Sequence, residues 1–383
     1  MRRSAKTAGL LPLTIMCLFW LTAPGPAAAE DRLDHLEQEI EELKKENSEI
    51  KKRVNDAETE GEETRHSLGL LSKLVDVSGY ADAEFVFTGQ EDENNKFRIR
   101  HLSLFFTKDI QKEWKLFTEV EFEDAPRIES NPANDTVSKS QGTLFVEQMY
   151  IEYHPTTSWD LRVGRFLTPA GIWPIYHYPP YVPTQTSPLF YKVIFPEVSD
   201  GLLLRNSFTV LDSALDTHLF AANGSGNPGK TDRNQNKGAG ARVNLGILNG
   251  LSMGASFYGE KDNQDIRRSS YGAHLLYSLA GLRLQTEFAF RHNNASGGFN
   301  DRGLYAQLSY DLNSWEIAGR ADWYDRNDKV SKDAHYRYTG ALNYHFAHNV
   351  VGKAEYNRNE FDDPFIKDYN EVIMAIVVAI GDL

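Results

Sequence analysis

Residues 304–323 read Leu304-Tyr305-Ala306-Gln307-Leu308-Ser309-Tyr310-Asp311-Leu312-Asn313-Ser314-Trp315-Glu316-Ile317-Ala318-Gly319-Arg320-Ala321-Asp322-Trp323. Leu304, Ala306, Leu308, Tyr310 and Leu312 form one apolar file, set against Gln307, Ser309 and Asp311. After a turn at Asn313 a second file follows: Trp315, Ile317, Gly319, Ala321 and Trp323, against Glu316, Arg320 and Asp322. A period of two is that of a strand, whose side chains point alternately to opposite faces. The same dyad runs through Val75–Phe87, through Trp114–Phe122 against Lys115, Glu119, Glu121 and Glu123, and through Tyr336–Phe346. Strands about ten residues long with one apolar face suit a transmembrane barrel. A soluble β-sandwich shows the same alternation.

The connections separate the two. Long polar gaps fall at about 88–95, 124–142, 167–198, 225–236, 262–268, 293–301, 326–334 and 360–367. Between them lie short ones, near 108–112, 154–158, 211–214, 248–250, 280–281, 313 and 347–348. Outer-membrane barrels carry long loops outside and tight turns in the periplasm, whereas a sandwich has no reason to sort its loops. The expectation is an all-β, transmembrane antiparallel β-barrel of about 16 strands, wide enough for an aqueous lumen. Trp114, Trp159, Trp315 and Trp323 fall at strand starts or ends, where interface girdles sit. A mean hydropathy of −0.49 suits a water-filled interior.

The first residues agree with this destination. Arg2, Arg3 and Lys6 precede an apolar stretch, Leu10–Ala23, and then Ala27-Ala28-Ala29, which together read as a signal peptide over 1–29. Cys17, the single cysteine, lies inside it, so no disulfide is expected in the mature chain. Beyond it no run approaches the ~18 apolar residues that a membrane helix needs. With 41 basic and 54 acidic residues, net −13, nothing suggests a nucleic-acid partner.

Between export signal and barrel, Leu33, Leu36, Ile40, Leu43, Asn47, Ile50, Val54 and Ala57 are spaced alternately three and four apart. This heptad seam predicts a coiled coil over 30–57, with Asn47 at an a position where a polar residue fixes register and oligomer state. An isolated helix of this length is marginal in water, which favours self-association. Residues 58–74 read as a linker and 75–383 as the barrel, giving an outer-membrane protein with its coiled coil in the periplasm.

The longest connection, about 167–198, follows the fifth strand. It holds Pro169, Pro174, Pro179, Pro180, Pro183, Pro188 and Pro196 among Trp173, Tyr176, Tyr178, Tyr181, Phe190 and Tyr191, a content that argues for a packed loop with a role. Gly164-Arg165-Phe166-Leu167-Thr168-Pro169-Ala170-Gly171, this Pro/Tyr-rich loop and Ser199-Asp200-Gly201 opening the next strand resemble the phosphate-selective porins of the O and P type. So does a coiled coil ahead of a barrel. The resemblance covers 30–383, although its specific motif spans only 164–171 and the strand after the loop. It implies a homotrimer of 16-stranded barrels, an inward-folded loop at about 167–198 and a narrow basic path for anions such as phosphate. The sequence departs from the pattern at Leu167, where a basic residue is usual, and at Leu383, where the last residue is commonly aromatic.

Candidates to line the path are Arg98, Arg100, Glu119, Glu121, Glu123, Arg162, Arg165, Lys192 and Arg205. Arg98 and Arg100 share a face, and one hairpin register sets Arg98 opposite Glu123 and Arg100 opposite Glu121. A basic cluster in a low-dielectric pore focuses anions; charges of this kind also serve as solvated walls with weak ion pairs. Glu119, Glu121, Glu123 and Asp124 could bind a cation, yet carboxylates alternating on a strand more often face a lumen, so no metal is assigned, and no catalytic constellation or Gly-rich phosphate cradle stands out in the sequence. The expected function is passive diffusion of small hydrophilic solutes or ions across the outer membrane, with a preference for anions. The alternatives are a non-conducting barrel that tethers the coiled coil, or an outer-membrane enzyme.

Overall fold

The computed structural model describes residues 45–46, 48–53, 75–125, 128–131, 136–139, 142–210, 213–224, 235–295 and 297–381. Residues 45–46 and 48–53 are helical, and Ile50 is half exposed. The other seam positions, Leu33, Leu36, Ile40, Leu43, Asn47, Val54 and Ala57, lie outside the described residues, as do the expected signal peptide and linker.

From residue 75 onward the chain is almost all strand. In order these are β1 (Asp76–Thr88), β2 (Lys96–Gln111), β3 (Trp114–Glu123), β4 (Ile128–Asn131), β5 (Thr136–Lys139), β6 (Thr143–Thr156), β7 (Trp159–Leu167), β8 (Val198–Val210) and β9 (Ser213–Ala222). Then come β10 (Gly238–Leu248), β11 (Leu251–Lys261), β12 (Arg267–Leu279), β13 (Leu282–Asn293), β14 (Phe299–Leu312), β15 (Trp315–Asp325), β16 (Ala334–Ala347), β17 (Val350–Phe361) and β18 (Tyr369–Ile380). β4 and β5 make a separate hairpin in one long connection; the other sixteen close into a barrel, every neighbour antiparallel. β1 meets β18 from Gly79↔Ile380 to Thr88↔Glu371, which removes the last free edge.

The alternation read from 304–323 is present here inside out. On β15, Trp315, Ile317, Gly319 and Ala321 are exposed while Glu316, Ala318, Arg320 and Asp322 are buried. β14 repeats this, with Leu304, Ala306, Leu308 and Tyr310 outside and Tyr305, Gln307 and Ser309 inside. Apolar outside and polar inside is the reverse of a soluble core, and it fits a wall that faces lipid. Aromatic pairs mark the rim with the short turns: Trp114 lies 4.5 Å from Tyr153, and Trp315 lies 4.6 Å from Tyr344.

The hydrophobic core lies within the barrel, as a seam between the wall and the loop after β7. Loop residues Ala170, Phe190, Ile194 and Phe195 pack with wall residues Tyr150, Phe166, Leu203, Phe220, Tyr258, Ala289, Tyr305 and Tyr324. Gly303 makes room for it, since a Cβ there would sit 2.5 Å from the Phe190 ring.

Two irregularities change which side chains look inward. On β2, Asp82 pairs with His101 and Ala83 with Ile99, so Arg100 is an extra residue. On β6, Glu119 pairs with Gln148 and Val120 with Val146, leaving Glu147 extra. Such bulges redirect a side chain and offset the phase by one. The β2–β3 register also differs from the expectation: His101, not Arg98, stands opposite Glu123, and Ser103, not Arg100, opposite Glu121. The hairpin has a third shift near its turn, between Asp109 and Gln111, and a turn fixes the register of everything above it.

Candidate functional site

The loop that follows β7 has little regular structure, with one short helix, α1 (Trp173–Tyr176). Its backbone groups therefore need partners, and the wall supplies them. The Glu287 carboxylate accepts the N–H groups of Ile172 and Trp173, both at 2.8 Å, and Ser256 Oγ accepts that of Gly171 at 3.0 Å. Arg242 Nε donates to Gly171 O at 3.0 Å, and Ser270 Oγ to Ile194 O at 2.8 Å. Farther round, Arg320 donates to Thr186 O at 2.8 Å, and Asn343 Nδ2 to Pro183 O at 2.8 Å. Lys353 Nζ holds the carbonyls of Pro179 (2.7 Å) and Val182 (2.6 Å), while Glu355 accepts from the Thr186 hydroxyl at 2.6 Å. On the opposite flank Gln148 Nε2 donates to Tyr178 Oη at 3.0 Å. The loop thus crosses the lumen, bonded to β6, β10–β13 and β15–β17.

Where it faces β1, β2, β3 and the start of β6 it leaves a cavity of about 310 Å³. Arg98, Arg100, His101, Lys192 and Arg337 bring basic groups to this space, and Glu84, Glu121, Glu123, Glu147 and Glu197 bring acids. Most are engaged. Arg98 pairs with Glu84 and lies 3.6 Å from Asp124, which also receives Arg100 at 3.2 Å. His101 Nδ1 contacts Asp82 at 2.8 Å, and Lys192 Nζ contacts Glu197 at 2.5 Å. On the loop, burial acts to lower the Lys192 pKa, but the Glu197 carboxylate outweighs it and the ammonium is held above its usual range. His177 goes the other way: its burial, opposed by Glu119 and Glu197, depresses the imidazole.

Of the residues expected to line a path, Arg98, Arg100, Glu121, Glu123 and Lys192 do meet at this cavity. Glu119 lies just behind it, fully buried, accepting from Ser103 Oγ and Gln148 Nε2, each at 2.7 Å. Arg162 and Arg205 are elsewhere on the inner wall. Arg162 pairs with Glu152 with its guanidinium 4.3 Å from the Tyr150 ring centre, and Arg205 pairs with Asp160 at 2.5 Å. Arg165 looks out of the barrel. It pairs in register with Met149 and Asp200, in phase with Val163 and Leu202, and those apolar neighbours are exposed on the outer face. Its guanidinium is fixed by Asp200 at 2.6 and 3.0 Å and by Val146 O at 2.8 Å. Sequence reasoning missed Glu147, because strict alternation puts it in phase with the outward Met149 and Ile151. The signal was two polar residues in succession, Glu147-Gln148, which a regular lipid-facing strand does not tolerate.

A barrel of sixteen antiparallel strands with an apolar exterior and a loop narrowing a charged lumen is the architecture of an outer-membrane porin. Residues 18–364 match the family model described as Gram-negative porin. The chain belongs to the Gram-negative porin family.

Solved structures of similar fold include OmpT of Vibrio cholerae, folded in vitro and in a trimer form (12% identity, TM-score 0.57), which aligns over 80% of this porin and 98% of that chain. The anion-selective porin from Comamonas acidovorans aligns over 80% and 99%, with 11% identity and a TM-score of 0.56. An uncharacterized protein of Aquifex aeolicus (strain VF5) is 28% identical over 126 residues, 33% of this chain. The match spans 27% of that relative's length.

Proposed function

We propose that this porin is a narrow passive channel for ions and small hydrophilic solutes, with a mild preference for anions, and that it works as a homotrimer. The observation that carries the reading is the 310 Å³ cavity between loop and wall. A polar space of this size holds many waters, the surroundings a hydrated ion or small hydrophilic solute needs. Arg98, Arg100, Lys192 and Arg337 stand at its surface among Glu84, Glu121, Glu123, Glu147 and Glu197, and a charged constriction with low-dielectric walls acts on permeating ions more strongly than outer loop charges do. The resemblance to phosphate-selective porins and the anion-selective Comamonas relative favour the same sign.

The trimer form of OmpT supports a three-fold assembly. The sequence layout supports a cleaved signal peptide over 1–29, a periplasmic coiled coil over 30–57 and a linker over 58–74. Planar-bilayer recording of the purified protein in a salt gradient tests the reading. Stepwise conductance is expected, with a reversal potential on the anion side that moves toward cations in Arg98→Glu. A silent barrel would sink the channel and favour a structural tether.

A further inference from the structure

At the edge of the cavity, three carboxylates gather without a matching base. Glu119, Glu121 and Glu147 are each at most 3% exposed, and one oxygen of each lies within 4.8 Å of the others. Among the described residues no lysine or arginine comes within ion-pair range of any of them; Glu147 has His177 Nε2 at 3.4 Å from its Oε1. Neighbouring bases are occupied by other acids: Arg98 by Glu84, His101 by Asp82, Lys192 by Glu197. Hydroxyl and amide donors serve part of the cluster, with Tyr80 Oη on Glu121 at 2.8 Å and Ser103 Oγ and Gln148 Nε2 on Glu119. Glu147 Oε2 is different: it is buried, no N–H or O–H group among the described residues donates to it, and the Glu119 carboxyl beside it is another acid. A buried carboxylate oxygen in such company is costly unless a cation or a shared proton compensates its charge.

We propose that Glu119, Glu121 and Glu147 bind one divalent cation of the calcium class at the inner edge of the constriction. The donors are all oxygens, the set a hard cation prefers. Calcium binds oxygens at about 2.3–2.6 Å in flexible geometry, whereas magnesium demands near-ideal octahedral geometry at about 2.0–2.1 Å, so an irregular set of three carboxylates suits calcium better. Glu121 and Glu147 also line the cavity, which gives the ion an entry path from the lumen. The bulge on β6 is what creates the site, because it turns Glu147 inward beside Gln148. The inference rests on the channel reading only for its consequence: the ion would neutralise acids beside Arg98 and Arg100 and strengthen the anion preference.

The test uses the full-length protein, EDTA-washed in detergent and free of lipopolysaccharide, with Tb³⁺ as probe and Ca²⁺ as competitor. Tyr80 and Tyr178 contact the ligand carboxylates and should sensitise Tb³⁺ luminescence that saturates at one site and is displaced by Ca²⁺. Removing a supporting partner of a ligand already costs 10–100-fold in affinity, so Glu147→Gln and Glu119→Gln should each weaken Ca²⁺ by more than about tenfold. Asp363→Asn, on an outer loop, should leave binding unchanged, and heat-modifiable gel migration confirms that each variant is folded. Absence of saturable sensitised binding to wild type would overturn the site, as would unchanged affinity in both glutamine variants. Stronger binding of Zn²⁺ than of Ca²⁺ would overturn the all-oxygen assignment. The readout needs no conductance, so a silent barrel that binds Ca²⁺ sinks the channel alone, and a conducting one that does not sinks the site alone.

Discussion

Replacing Gly171 by alanine should release the loop from the wall while leaving the barrel closed. Gly171 has φ +61°, and a Cβ built there falls inside the Glu287 carboxylate. The left-handed conformation costs a non-glycine residue about 1–2 kcal/mol. The displaced carboxylate also loses hold of the Ile172 and Trp173 N–H groups, and hydrogen bonds to a charged acceptor contribute about 1.5–3 kcal/mol each. Strain plus one such bond gives about 2.5–5 kcal/mol at the loop's first anchor. At 1.4 kcal/mol per factor of ten, that raises the population of the undocked loop by about sixtyfold or more. The wall ladder from β1 to β18 is untouched, so heat-modifiable migration should persist. In planar bilayers the variant should show larger and noisier unitary steps than wild type, and limited proteolysis should cut within 168–197. Wild-type conductance together with wild-type protease resistance would refute the idea that Glu287 anchors the constriction.

Three further outcomes are expected. Phe190→Ala should lower unfolding stability by about 3–5 kcal/mol, read as a denaturant midpoint in detergent, since the ring is buried and stacks 6.0 Å from Tyr305. Arg165→Glu should leave the reversal potential unchanged yet reduce stability by about 1–3 kcal/mol, because it sets a second acid beside Asp200 on the outer face; a clear shift toward cations would mean the side chain reaches the lumen after all. Light scattering should return the mass of a trimer for the full-length protein, and deletion of 30–57 should lower the temperature at which that trimer dissociates; a monomeric full-length protein would end the assembly proposal.

The fold was readable from 304–323 because a membrane wall has two uniform sides, lipid and lumen, and a period of two reports both. The alternating loop lengths gave the sense of the barrel, and the proline-rich stretch after the fifth barrel strand gave the constriction loop. Arg98, Arg100, Glu121, Glu123 and Lys192, read from the sequence as candidates to line a path, lie together at the cavity. Register was not legible. The pairing of β2 with β3 depends on an irregularity near the turn at Gln111, so the expected oppositions of Arg98 and Arg100 to Glu123 and Glu121 failed by three residues. Phase was not legible at bulges either, which is why Glu147 escaped notice. Arg165 was misplaced because it belongs to a motif at the mouth of the loop, and motif membership says nothing about the face a side chain occupies. The phosphate-selective resemblance led correctly to a porin; the broader Gram-negative porin family is the level the comparisons support.

The loop's anchors also bear on how the molecule assembles. Lys353 reaches Pro179 across 174 residues, and Glu355 reaches Thr186 across 169, so these bonds join the middle of the chain to its last hairpin. Closing loops of that length costs entropy before any contact rewards it. The carbonyls of Pro179 and Val182 can meet Lys353 only once β17 is in place, and β17 pairs with β18, the strand that seals against β1. Docking of the 179–186 part of the loop therefore requires the last hairpin, whereas its anchors on β10–β13 do not. An open barrel would carry that part of the loop undocked, with unpaired carbonyls, so the selective channel and the finished cylinder arrive together.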